Sequence, residues 1–152
     1  MALSMLQSEI YLFLPWATVF NAGARMHEIA IGQNLVAAVL QEMRQRQVPP
    51  GALRVTRVVA GQMHQIVPEA LATAYDLLSR DTPAAGSTLA LRVLPLEARC
   101  PACGWRGALE PPVFLCGACG QGGIELLSGN ELYLESLEVA SADDLEQPAV
   151  AP

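Results

Sequence analysis

Charge is scarce in this chain, and positive charge most of all. Nine Lys and Arg residues are scattered over 152 positions against fifteen Asp and Glu, giving a formal net charge of −6. Without a basic stripe the chain lacks the electrostatic footprint that a nucleic-acid backbone requires. Long apolar runs are missing too. The longest, Ile10 to Ala22, is too short to span a membrane and is broken by Pro15 and Asn21. Met1 to Glu9 hold no Lys or Arg, so the positive start of a signal peptide is absent, although Ala22-Gly-Ala24 has the small residues of a cleavage site. No Ser-His-Asp order, phosphate loop or nucleotide-binding glycine motif appears. Asp81, Glu97 and Glu110 are dispersed, and no His lies beside a cysteine, so neither an acid–base pair nor a Cys–His nucleophile can be argued. The sequence is not that of an enzyme.

What is present suits one folded domain. Hydrophobic residues make up 52% and charged residues 16%, enough apolar material for a core and too little charge for a disordered chain. The first twenty-five residues stand apart, because their apolar run has no period of 2 or 3.6. Met26 is an in-frame candidate initiator with an amphipathic helix directly behind it, so residues 1–25 read as an extension upstream of the true start.

From Met26 onward the pattern is regular. Ile31, Leu35, Val39 and Met43 recur every four residues, one apolar helix face, which Pro49-Pro50-Gly51 is expected to end. Leu53 to Ala60 is β-branched and closes at Gly61, a strand. Pro68 suits a first helical position, and Leu71, Ala74, Tyr75 and Leu78 form a second amphipathic face. Asp81 to Gly86 is a loop, and Leu89, Leu91 and Val93 alternate as a second strand. Near the end, Leu132 and Leu134 keep one phase while Leu137 and Val139 keep the other. A strand bulged near Glu135 or Ser136 reconciles them. The expected fold is α+β, two helices on a three-stranded sheet, with a cysteine module inserted before the last strand. That gives an α+β domain of residues 26–96 plus 128–142, a module of residues 97–127, and an acidic tail of residues 143–152.

The module, Gly- and Pro-rich with little regular pattern, carries the clearest chemistry. Cys100-Pro-Ala-Cys103-Gly and Cys116-Gly-Ala-Cys119-Gly are two zinc-knuckle halves, twelve residues apart. A two-residue gap lets both thiolates of one turn reach the same ion at ~2.3 Å, and four thiolates without histidine make a closed structural zinc site. The glycine after each pair permits the tight turn and frees backbone amides to point at sulfur. Trp105 and Phe114 are expected to cover this otherwise coreless module. The same four thiolates could hold iron in a rubredoxin-like site, although the aromatic-rich core of such a redox protein is missing. Two disulfides would need an oxidising compartment and would staple little loop.

The chain has two histidines, His27 and His64. His64, in Gly61-Gln-Met-His-Gln-Ile66, reads as a solvated loop residue; with Met63 it could be an auxiliary soft ligand. His27 differs if Met26 is the start. An α-amine, the deprotonated amides of His27 and Glu28, and the His27 ring nitrogen then close a square-planar four-nitrogen set, which nickel(II) and copper(II) favour.

Met26-His27-Glu28, the strand ending at Gly61, Val67-Pro68-Glu69-Ala70-Leu71, the two CxxC pairs, Ser128-Gly129-Asn130-Glu131-Leu132 and Leu137-Glu138-Val139 occur in an order that resembles the HypA/HybF family of hydrogenase nickel-insertion proteins. The resemblance covers Met26 to Val139. It implies a cytoplasmic nickel metallochaperone that binds nickel at the start and holds structural zinc at Cys100, Cys103, Cys116 and Cys119. It also implies delivery to the large subunit of a [NiFe] hydrogenase, alongside a partner maturation GTPase, with urease served by some relatives. By the same resemblance His27 is the nickel ligand and Met26 and Glu28 contribute backbone nitrogen. In the 152-residue form the nitrogen of Met26 is an amide, not an amine, which weakens that set. A zinc-ribbon adaptor without nickel delivery is the alternative reading.

Overall fold

The computed structural model describes residues 28–141. Helix α1 (Glu28–Gln45) buries Ile31, Leu35, Val39 and Met43, the face its spacing demands. It stops before the prolines, by its own backbone. Gln47 takes φ 57°, its N–H reaches the Arg44 carbonyl at 3.2 Å, and Val48 N–H reaches the Met43 carbonyl at 2.9 Å. This is a Schellman stop with a glutamine in the left-handed position. Strand β1 (Leu53–Gly61) follows, then a single 3-10 turn, Gln62–His64. Helix α2 (Pro68–Ser79) opens on its proline and buries Leu71, Ala74 and Tyr75.

Strand β2 (Thr88–Leu94) pairs parallel with β1, and β6 (Leu132–Val139) lies antiparallel on the other side of β1. The sheet order is therefore β2-β1-β6, with α1 and α2 on one face. Arg57 faces Ser136 whereas Val58 faces Leu134, so Glu135 is the extra, bulged residue. The bulge lets Leu134 and Leu137 both enter the core with Leu35, Val39, Met43, Leu53, Val58 and Tyr75. On the opposite face Arg57 pairs with Glu138, and Arg92 pairs with Glu135.

One polar chain crosses the main core. Ser87 Oγ donates to the Ala84 carbonyl at 2.7 Å. It must therefore accept from Tyr75 Oη at 2.8 Å, whose oxygen in turn accepts from Thr56 Oγ1 at 2.8 Å. Tyr75→Phe leaves a buried Thr56 hydroxyl with no acceptor at that point. Such an orphan costs about 1–3 kcal/mol, and urea unfolding should show the midpoint falling with an unchanged m-value.

The cysteine module departs from the expectation of little regular structure. β3 (Glu97–Arg99), β4 (Arg106–Ala108) and β5 (Glu125–Ser128) form a second antiparallel sheet, order β4-β3-β5. Nor is it coreless: Leu96, Ala98 and Leu109 are buried, with Met63, Trp105 and Ile124 packed against them. Met63 comes from the turn after β1, so the small core is shared with the main domain.

The two sheets meet where three backbone segments cross. Gly61 N–H donates to the Glu131 carbonyl at 2.6 Å and Met63 N–H to the Gly129 carbonyl at 2.9 Å. The Gln62 side chain accepts from Leu96 N–H at 3.1 Å, and Ser128 Oγ donates to the Pro95 carbonyl at 3.0 Å. A Cβ on Gly61 would stand 2.0 Å from the Gly129 carbonyl, and one on Gly129 would stand 2.6 Å from Leu96 Cα. Only glycine allows strands this close.

Candidate metal centre

Each cysteine pair sits in a tight turn of the same build. In the first, Gly104 N–H donates to the Cys100 carbonyl at 2.9 Å and Cys100 N–H to the Trp105 carbonyl at 2.8 Å. In the second, Gly120 N–H donates to the Cys116 carbonyl at 3.0 Å and Cys116 N–H to the Gln121 carbonyl at 2.9 Å. Gly104 at φ 78° and Gly120 at φ 70° close the two turns in the left-handed region. The turns bring all four sulfur atoms within 4.8 Å of one another.

That set fits a metal ion. A tetrahedral ion with bonds of ~2.3 Å to sulfur needs sulfur–sulfur edges of about 3.8 Å. Cys100 Sγ and Cys119 Sγ lie 3.8 Å apart, and Cys103 Sγ and Cys116 Sγ 3.5 Å apart. Amides supply the outer contacts: Ala118 N–H and Cys119 N–H point at Cys116 Sγ, at 3.3 and 3.4 Å. Burial pushes the Cys116 thiol up, but these amides, with hydrogen bonds from the Cys103 and Cys119 thiols, outweigh it and bring it down to about 6. At Cys103 the backbone of Trp105 pulls down, yet sharing a proton with Cys116, burial, and the Cys119 and Cys100 thiols push it up to about 12. The Cys116 thiol therefore ionises readily, whereas Cys103 and Cys119 are pushed the other way and need a cation to follow it. Cys100 and Cys116 are buried, while Cys103 and Cys119 are exposed.

Trp105 covers the module as expected, packed against Leu96, Ala98 and Leu109. Its ring lies over two backbone positions, and a Cβ on Gly107 or Gly117 would stand 2.5 or 2.9 Å from ring atom Cζ2. Those two glycines make room for the indole, a role the sequence reading missed; the module's one tryptophan, flanked by glycines, was the available signal. Phe114 is not among the residues packed on that core. It stands exposed beside Val113 and Leu115, because the segment between the knuckles loops outward.

At the other candidate site, Met26 and His27 lie outside the described residues, as do residues 1–25 and the tail from 142. Glu28 opens α1, and its carboxylate accepts from Val67 N–H at 3.4 Å, which joins the starts of the two helices. His64 is not a free loop residue: its Nε2 contacts the Asn130 carbonyl at 3.2 Å, so that nitrogen carries the proton and donates it. Among the described residues the four cysteines form the one group of metal-ligating side chains of three or more. None of the described helices is long and apolar enough to cross a membrane.

A family profile described as hydrogenase/urease nickel incorporation, metallochaperone, hypA, matches residues 26–139. The chain belongs to the HypA family. The hydrogenase maturation factor HypA of Nostoc sp. is 34% identical over 114 residues, covering 75% of this chain and 96% of the relative. That of Solidesulfovibrio magneticus is 35% identical over 118 residues, covering 75% and 99%. The solution structure of the Ni metallochaperone HypA from Helicobacter pylori aligns with a TM-score of 0.53 at 19% identity, over 76% of this chain and 99% of that one. At that identity the likeness speaks for the HypA fold alone.

Proposed function

We propose that this protein loads nickel at Met26-His27-Glu28 and delivers it to the large subunit of a [NiFe] hydrogenase, with zinc held by the four cysteines as a structural ion. The observation that carries this reading is the family match opening on Met26, with His27 and Glu28 directly behind it. The working chain then starts at Met26. Its amine, the amides of His27 and Glu28 and the His27 ring supply four nitrogen donors in one plane. The protein acts as a carrier, with no reaction of its own. A site at the chain start is open to solvent and gives its cargo up to an acceptor. A maturation GTPase is the proposed partner in that transfer, and urease maturation a second destination. The Cys100, Cys103, Cys116 and Cys119 module fixes the surface presented to the acceptor. Residues 26–96 with 128–142 form the nickel domain, and residues 97–127 the zinc domain.

The test is a nickel(II) titration of protein produced from Met26 beside its His27→Ala twin. Binding of about one ion per chain, lost in the twin and weaker in the 152-residue form, is the expected result. Because the nitrogen donors must lose protons to bind, occupancy should fall between about pH 8 and about pH 6 while the cysteine-bound metal stays. No binding in either protein would leave the zinc-ribbon adaptor as the better description. A coloured tetrathiolate would point to iron and electron transfer, since zinc is colourless.

A further inference from the structure

Given the four cysteines as ligands of a structural ion, we infer that they are also a reversible oxidation site. A hydroperoxide links Cys103 to Cys116 and Cys100 to Cys119, and the two disulfides then hold the module in place of the ion. The sulfur atoms meet across the two knuckles. Cys103 Sγ lies 3.5 Å from Cys116 Sγ, and Cys100 Sγ lies 3.8 Å from Cys119 Sγ. Cys103 and Cys119 are exposed, whereas Cys100 and Cys116 are buried. Each pair therefore joins a sulfur that a small oxidant can reach to one that is shielded, the arrangement of an attacking and a resolving thiol. The pairs share no sulfur, so both bonds can exist at once. Together they use every cysteine of the chain.

Crossed links also respect the turns. Each pair takes its sulfurs from different turns, so closing 3.5 or 3.8 Å to a bond of ~2.05 Å moves one turn against the other. The hydrogen bonds inside the turns, from Gly104 and Gly120 N–H to the Cys100 and Cys116 carbonyls, stay in place. A disulfide within one CxxC would distort that turn and leave the two knuckles untied. The crossed bonds span 13 and 19 positions and join the turn between β3 and β4 to the turn before β5, as the ion does. With hydrogen peroxide the step balances. The exposed thiolate attacks one peroxide oxygen; an S–O bond forms, the O–O bond breaks, and hydroxide leaves and is protonated to water. The buried thiolate then attacks the sulfenic sulfur; the S–S bond forms, the S–O bond breaks, and the second oxygen leaves as water. The pair gives up two electrons, which the peroxide accepts. Thiolate is the ligand form of cysteine, so the ion departs as the thiolates are consumed. The nitrogen donors proposed for nickel contain no thiol and are left untouched.

The test is a hydrogen peroxide titration of the full chain, with a zinc-sensitive dye reporting ion release and tryptic digestion without reductant reporting the links. Arg99 and Arg106 bracket the first knuckle, and no Lys or Arg follows Arg106. Crossed disulfides therefore leave residues 100–106 joined to the peptide that begins at Gly107, and fragmentation of that product reads the connectivity. Disulfides within each CxxC release residues 100–106 as a free peptide. The expected result is consumption of about two peroxides per chain, loss of the ion, and the crossed peptide as the main product. Amide resonances of β3 to β5 should hold in the oxidised, metal-free chain, whereas chelation of the reduced chain collapses them. Dithiothreitol followed by zinc should restore the starting spectrum. A free 100–106 peptide, thiols driven to sulfinic acid without a disulfide, or a second sheet that melts on oxidation each overturn the proposal. A chain that carries no metal yet forms the crossed links would overturn the structural ion and leave the oxidation site standing.

Discussion

Cys116→Ser is expected to remove the tetrathiolate metal and to melt the second sheet while leaving the first in place. Cys116 is the buried sulfur on which two backbone amides converge, and those amides help bring its thiol down to about 6. Serine keeps the shape but offers an alcohol that no longer ionises in this range, so the ion loses that anchor. Little else holds the module. Its buried apolar residues are Leu96, Ala98 and Leu109, and its strands are three or four residues long. Metal ligation in units of this kind is worth ~10–16 kcal/mol at neutral pH, far above what three buried side chains supply. Metal content should fall from about one ion per chain to nearly none. Amide resonances of residues 97–128 should collapse toward random-coil positions while those of α1, α2, β1 and β2 hold. A variant that keeps its metal and the shifts of β3 to β5 would show that the apolar contacts suffice.

Gly61→Ala has the next largest expected effect, for a different reason. The added methyl would stand 2.0 Å from both the carbon and the oxygen of the Gly129 carbonyl and 2.5 Å from Asn130 N. All three are backbone atoms, so no side chain can swing aside. The end of β1 must separate from the 129–131 segment, and the bonds from Gly61 N–H to Glu131 and from Met63 N–H to Gly129 go with it. Overpacking of ~1–3 kcal/mol and two hydrogen bonds of ~1 kcal/mol each put the loss on the order of 4 kcal/mol. Gly51→Ala is the control. Gly51 has φ 78° but nothing within 4 Å of an added methyl, so its cost is the backbone strain alone, about 1 kcal/mol. Urea unfolding of the two variants separates crowding from strain; equal losses would sink the crossing-backbone argument.

The parts of the fold that were legible in the sequence are those with a local period. The four-residue spacing from Ile31 to Met43 is enough to place α1, and Pro68 followed by Leu71, Ala74 and Tyr75 is enough to place α2. The phase change between Leu134 and Leu137 narrows the bulge to Glu135 or Ser136, because one face of β6 has to stay apolar, and the pairing with β1 puts it at Glu135. The CxxC spacing likewise places four sulfurs around one point. What escaped has no local period. A strand of three residues such as Glu97–Arg99 is too short to show alternation. The meeting of Gly61 with Gly129 joins positions far apart in sequence, and the Thr56–Tyr75–Ser87 hydroxyl chain does the same. The end of α1 was assigned to the prolines because Gln47 carries no sign of a left-handed residue.

The pairing of β1 with β6 also bears on how the chain folds. β6 cannot dock until everything between Leu94 and Leu132 has been gathered in, and that stretch is the metal module itself. With an ion in place the module would be a compact bead whose two ends, at Glu97 and Ser128, face each other across β3 and β5. Ligation thus turns a long, floppy closure into a short one, removing entropy from the search rather than adding contacts to the product. Loop cost grows only slowly with length, ~0.6 kcal/mol per doubling, so the main sheet tolerates an empty module at equilibrium. The rate is another matter, since closure precedes the reward of long-range strand pairing. An ion held by the four cysteines would therefore also set the order of assembly, with the inserted module condensing first and the last strand arriving on a path already shortened.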